Sequence, residues 1–157
     1  MNDTARARLE SVGWRHDRRY QTEAIAERLK ARGFELFPAA AAFLARYGGL
    51  SARGDTTHPR STGIYFHTNP DDVATDRSWI ADWEQATGTR VFPIGATAYD
   101  DYVLIMDEHG RVFGADMYLE MTYWADDAEE LLDIVLGDGG TFRPVDADDR
   151  RPIERQP

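Results

Sequence analysis

Apolar positions in the first fifty residues recur at intervals of three and four. Leu36, Phe37, Ala40, Phe43, Leu44 and Tyr47 share one broad face, and Pro38 fits a first helical turn, where its missing N–H costs nothing. This spacing predicts a core helix with a glycine stop over Phe37 to Leu50. Gly48 is placed to end it in the left-handed conformation, with Leu50 folding back onto the last turn. The pair Gly48-Gly49 is either this cap or a place where a ligand approaches the backbone. Two shorter helices come first. One is capped by Asp3 or Thr4 and runs to about Ser11 with Leu9 and Val12 as its apolar residues; the other spans roughly Thr22 to Arg32 with Ile25 and Leu29 inside, stopped by Gly33. Between them, Trp14 is either a plug in the core or a ligand platform. Arg18 and Arg19 either bind an anion or are solvated and ion-paired.

The texture changes after Leu50. Ser51 to Gly63 is polar and turn-rich and reads as a long hairpin connection, followed by a strand from Ile64 to His67. Asn69-Pro70-Asp71-Asp72 is a turn that opens a short helical stretch. Arg77 to Thr87 carries Trp79, Ile80 and Trp83 on one side of a helix stopped by Gly88; the two tryptophans form either a binding face or helix-to-sheet packing. Strands follow at Arg90–Gly95, where Pro93 requires an edge or a bulge, at Tyr102–Met106, at Arg111–Ala115 and within Met117–Trp124. Asp107-Glu108-His109-Gly110 is the hairpin turn between two of them. Asp126 with Glu129 three residues on has the spacing of a capping box for a last helix, whose buried face is Ala128, Leu131, Leu132, Val135 and Leu136, closed by Gly137. The order of elements predicts a single α+β domain, an antiparallel-rich sheet packed with helices, over residues 1–137. Residues 138–157 form a polar acidic tail expected to be partly flexible.

Charge sharpens this picture. The chain has 157 residues and a net charge of −10. Residues 1–99 are nearly balanced at +1, whereas residues 100–157 hold 16 acidic and 5 basic side chains, a net of −11. The imbalance argues against nucleic-acid binding, which needs a basic patch, and favours a basic partner or an acidic, soluble surface. The absence of cysteine excludes disulfides and thiol catalysis. No signal-peptide run or membrane-length apolar stretch is present, so a cytoplasmic location without membrane contact is expected.

Catalytic chemistry finds little to stand on. His16, His58, His67 and His109 fall in no metal-binding arrangement; His67 with Asp71 or Asp72 is the one set that a small metal-dependent hydrolase would use. Nucleophile-elbow, phosphate-loop and dinucleotide motifs are absent from the sequence. Adjacent carboxylates on a strand point to opposite faces and make no acid–base pair by adjacency. A protein without a cofactor, resident metal or catalytic activity is expected.

A helix ending in Gly13-Trp14 with Arg18 soon after, then Phe37-Pro38 and Phe43-Leu44-Ala45-Arg46-Tyr47-Gly48-Gly49-Leu50, resembles the SUKH (Smi/Knr-like) superfamily. Phe92-Pro93-Ile94-Gly95, Leu104 to Asp107 with Gly110-Arg111-Val112, and the last helix to Gly137 are similar to its third immunity group. The family's recurrent positions here are Trp14, Arg18, Phe43, Gly48, Gly49, Leu50, Pro93, Gly95 and Gly110, and the residue-level reading makes most of them structural. The resemblance implies the SUKH α+β fold and an immunity protein that neutralises a polymorphic toxin by binding its toxin domain. Many such toxins act on nucleic acid and are basic, so the expected toxin-binding residues are the acidic Asp100, Asp101, Asp116, Glu120, Asp126, Asp127, Glu129 and Glu130. Each of these serves either recognition or capping and solubility. The alternatives are an intracellular regulator or adaptor of the same fold, and the small hydrolase built on His67.

Overall fold

The computed structural model of the protein describes residues 1–53, 66–73, 77–97, 102–116, 121–137 and 143–144. The helices are Asp3–Ser11 (α1), Glu23–Ala31 (α2), Pro38–Tyr47 (α3), Arg77–Thr87 (α4) and Ala128–Leu136 (α5), with a single 3-10 turn at Pro70–Asp72 among the described residues. The strands are Ser51–Ala52 (β1), Phe66–His67 (β2), Val91–Thr97 (β3), Tyr102–Asp107 (β4), Val112–Asp116 (β5), Met121–Ala125 (β6) and Arg143–Pro144 (β7). They form one antiparallel sheet in chain order, β1 to β7. The expected α+β architecture and antiparallel sheet are therefore present. The connection from Gly54 to Gly63, residues 64–65, Met117–Glu120 and the tail apart from Arg143–Pro144 lie outside the described residues.

Three local expectations shift by a residue. Asn2, not Asp3 or Thr4, caps α1: its backbone is extended and its side-chain oxygen accepts the Ala5 N–H at 2.8 Å. Asp3 then lies inside the first turn, where its charge meets the positive end of the helix. At the far end of α3, Gly48 has φ −57° and is not left-handed; Gly49 is, at φ +70°. At α5 the cap is Asp127 rather than Asp126, because Asp127 is the last extended residue and its carboxylate accepts the Glu129 and Glu130 N–H groups.

The exit from α3 depends on contacts distant in sequence. Gly48 N–H closes the helix on Leu44 O at 2.7 Å, but Gly49 N–H leaves it for Thr68 O at 3.0 Å. Thr68 N–H then donates to Leu50 O at 2.9 Å, so the β1–β2 ladder starts directly at the helix end. The buried Thr68 hydroxyl accepts the Leu50 N–H at 3.0 Å and donates to the Tyr47 carbonyl. It thereby satisfies a carbonyl in the last turn of α3, one of the groups a helix end leaves unpaired. The Tyr20 ring lies against both glycines, where a Cβ at either would come within 2.5–2.6 Å of it. Close approach is indeed what the glycine pair permits, and the approaching group is a tyrosine of the same chain.

Gly95 does the same for the sheet. At φ +155° it faces the His67 carbonyl, leaving no space for a Cβ. The ladder slips between Pro93 and Gly95, so Ile94 is the extra residue of a bulge. β2 reaches only Ala96 and Thr97, and Pro93 sits in the half of β3 that has β4 alone as ladder partner. Its missing N–H therefore breaks no pairing with β2.

Val103 to Asp107 are all buried, so both faces of β4 are covered. Phe92 receives the edges of Phe34 and Phe37 at 6.1 and 6.3 Å between centroids. Trp14 is buried and stacks on Tyr47 at 6.1 Å, which settles its role as a core plug. Trp83 and Ile80 are buried and Trp79 half-buried on α4, so this pair also belongs to packing. Replacing Thr68 by Val keeps its shape and removes every hydroxyl bond, including the longer one to the Leu50 carbonyl at 3.3 Å. The expected cost is about 2 kcal/mol, equivalent to a melting-temperature loss of roughly 4–8 °C, read by thermal unfolding. Thr68→Ser is expected to retain most of the stability; equal losses in the two variants would show that the hydroxyl carries none of it.

Candidate partner-binding surface

Four of the sequence-predicted acidic residues converge at the start of α5. Asp126, Asp127, Glu129 and Glu130 are exposed and occupy the helix end where unpaired N–H groups favour negative charge. Each also has an internal partner. Asp127 caps the helix, with Oδ1 2.8 Å from Glu129 N and 2.9 Å from Glu130 N. Glu130 Oε2 accepts the N–H of Asp126, the residue before the cap, at 2.6 Å, so the cap and its acidic third residue fall one position later than the sequence spacing suggested, at Asp127 and Glu130. The Tyr123 hydroxyl bonds Asp126 Oδ1. Glu129 Oε2 accepts the Met1 ammonium at 2.8 Å, and Arg46 stands 3.6 Å from its other oxygen.

These contacts divide the cluster. The Met1 ammonium and Arg46 offset the charge on the Glu129 side, leaving Asp126, Asp127 and Glu130 as the outward negative field. Asp116 does not join them. Val112 pairs with Ala125, so the Asp126 end of the sheet adjoins the start of β5, while Asp116 is half-buried at its other end, roughly 13 Å along the strand. Asp100, Asp101 and Glu120 lie outside the described residues.

The remaining predicted positions build the scaffold. Arg18 donates from Nη2 to Gly48 O at 2.7 Å and lies over the Tyr20 ring at 5.4 Å, so a backbone carbonyl occupies it rather than an anion. Phe43 and Leu50 are buried, Phe43 5.4 Å from the Tyr47 ring. Gly110 closes the β4–β5 turn. That turn begins with a residue to which the sequence assigned a place but no role. Asp107 is fully buried, accepts the His109 and Arg111 N–H groups at 2.9 Å each, and pairs with Arg111 Nε at 2.6 Å. An Asp that begins a turn with Arg four residues on was the available signal. Arg8 was also missed: its guanidinium bonds the Leu136 and Gly137 carbonyls, capping α5 from α1.

Around the histidines the groups disperse. His67 is buried, its Nδ1 accepting the Asn69 N–H at 3.3 Å, while Asp71 is taken by Arg28. Among the described residues no three His, Asp or Glu side chains gather to hold a metal ion.

The Glu129 contacts carry a pH signature. Its hydrogen bond to the Met1 ammonium, then that group's charge and Arg46, hold the Glu129 carboxyl below its usual 4.5. The ammonium is raised above 8.0, chiefly by the same hydrogen bond. A depressed carboxyl stabilises the fold above its unfolded pKa and loses that contribution as pH falls through the folded value. A raised amine contributes below 8.0 and loses its part as pH rises through the folded value. Titrating the Glu129 side chain by NMR should give a midpoint below 4.5. Acetylating the amine should return it most of the way, and Arg46→Gln only slightly; an unchanged midpoint after acetylation would refute the assignment.

No helix among the described residues is long and apolar enough to cross a membrane. No curated protein and no solved structure matches the chain. A family model described as SUKH-3 immunity protein matches residues 1–137, which span α1 to α5 and every glycine and proline contact described above. The chain belongs to the SUKH-3 immunity protein family.

Proposed function

We propose that this protein confers immunity by binding the toxin domain of a cognate polymorphic toxin, a basic domain that acts on nucleic acid. The observation that carries the reading is the exposed trio Asp126, Asp127 and Glu130, on a chain with a net charge of −11 after residue 99 and within a family named for immunity. Asp100, Asp101, Asp116 and Glu120 extend the recognition charge in this reading. Glu129 contributes less, because the ammonium and Arg46 stand against it.

Negative carboxylates at this surface steer a basic partner into encounter and occupy the positions where it would hold phosphate. Inhibition then needs no chemistry from this chain. The work of the fold is to hold the charges still: Asp127 is fixed by the Glu129 and Glu130 N–H groups and Glu130 by the Asp126 N–H, so little side-chain freedom is lost on binding.

The test uses the toxin domain encoded beside this gene. Asp100, Asp101, Asp126 and Asp127 are all changed to Asn, which leaves a competent N-cap at position 127. Binding at low salt is expected to weaken by about tenfold or more, with the gap to wild type narrowing as salt rises. Co-expression should show loss of rescue from toxin-arrested growth. Salt-insensitive binding, or full protection by the variant, would overturn the electrostatic mechanism.

A further inference from the structure

Asp126 stands between Ala125, the last residue of β6, and Asp127, the cap of α5. The cap does not use its carboxylate. Asp127 accepts the Glu129 and Glu130 N–H groups, and Glu130 accepts from the Asp126 backbone rather than from its side chain. The Asp126 carboxylate takes the Tyr123 hydroxyl instead, on Oδ1. Tyr123 belongs to the sheet: it is fully buried on β6, and the Phe113 ring of β5 meets it edge to face with 5.4 Å between centroids. An exposed acid is therefore tied to a phenol that core packing holds still.

The tie leaves the charge uncancelled. Glu129 has the Met1 ammonium and Arg46 against it, whereas the Asp126 carboxylate has no cation within ion-pair distance among the described residues. A phenol hydroxyl donates a hydrogen bond without carrying charge near neutral pH, so this donor fixes the carboxylate without neutralising it. Satisfying the phenol alone requires no acid, because an amide oxygen at position 126 would accept the same bond.

We propose that Tyr123 is a positioning residue for partner recognition: its hydroxyl pins Oδ1 of Asp126, so that Oδ2 is offered to a cationic side chain of the partner in a pre-set direction. The inference rests on the proposed function, which takes the acidic start of α5 as the contact surface. An unpinned exposed aspartate samples several rotamers and gives up that freedom on binding; a pinned one has given it up on folding. One oxygen remains for the partner, which suits a single N–H donor better than a two-point fork across the whole carboxylate. Tyr123 is itself buried and acts only through Asp126.

The test compares Tyr123→Phe, Asp126→Asn and the two together in the full chain. In isotope-labelled protein, three-bond couplings at the Asp126 side chain report its rotamer: one rotamer is expected in wild type and an average of several in Tyr123→Phe. Binding of the neighbouring toxin domain is then followed in time. Tyr123→Phe keeps the net charge, so its association rate and salt dependence should match wild type while dissociation becomes about threefold faster. In the Asp126→Asn background the same substitution should leave dissociation unchanged, which a general loss of packing would not do. An Asp126 rotamer indifferent to Tyr123, unaltered dissociation in Tyr123→Phe, or an equal effect in both backgrounds overturns the proposal. A toxin domain that ignores the wild-type protein counts against the immunity mechanism instead, and the couplings alone then decide whether Tyr123 positions Asp126.

Discussion

The corner where α3 becomes β1 leaves no room for a side chain, and the rest of the molecule depends on that. Tyr20 presses on Gly48 and Gly49, the His67 carbonyl presses on Gly95, and the Thr68 hydroxyl joins the last turn of α3 to the first sheet ladder. Each contact is short-range, but together they couple four separate stretches of chain: residues 18–20, 47–50, 67–68 and 95. A Cβ at Gly95 would collide with backbone rather than with a movable side-chain tip, so the strand could not stay in register with β2. Arg18 closes the corner from outside by bonding the Gly48 carbonyl. Arg18, Gly48, Gly49 and Gly95 thus make one joint, in which small size at three glycines and a donor at Arg18 are needed together.

The joint also bears on where the last helix sits. α3 packs on β3 and β4, and Arg46 at its end reaches Glu129 on α5. α1 is tied to α5 at two places, Asn2 N–H to Asp133 at 2.6 Å and the Arg8 guanidinium to the Leu136 and Gly137 carbonyls. α5 is therefore held along its length while its N-terminal acids face outward. Its position is fixed by interior contacts, and its charge is left available.

Much of this was legible in the sequence. The 3.6-residue spacing of α3, the Trp79–Ile80–Trp83 face and the Leu131–Leu136 face all name the inward surfaces correctly, because burial imposes periodicity directly. Helix ends were off by one residue at Asn2, Gly49 and Asp127. Several neighbouring Asn, Asp, Thr and Gly residues have similar capping ability there, and tertiary contacts choose among them. Thr68 was not legible at all. A threonine after a strand carries no signal until the helix it caps is known to lie beside it.

The described surface also constrains how a partner can be held. Val12 is the one large hydrophobic side chain exposed among the described residues, at 38%. Recognition there must be led by charge and hydrogen bonding, which governs association rate and selectivity more than it governs apolar burial. The acids at α5 face a conflict under that regime, since the same oxygens that attract a cation also cap a helix. Asn would meet the capping need equally well at Asp127. Capping alone therefore does not require a negative charge at this position. The charge is the part of Asp127 that the fold can dispense with, and it is the part that a basic partner would use.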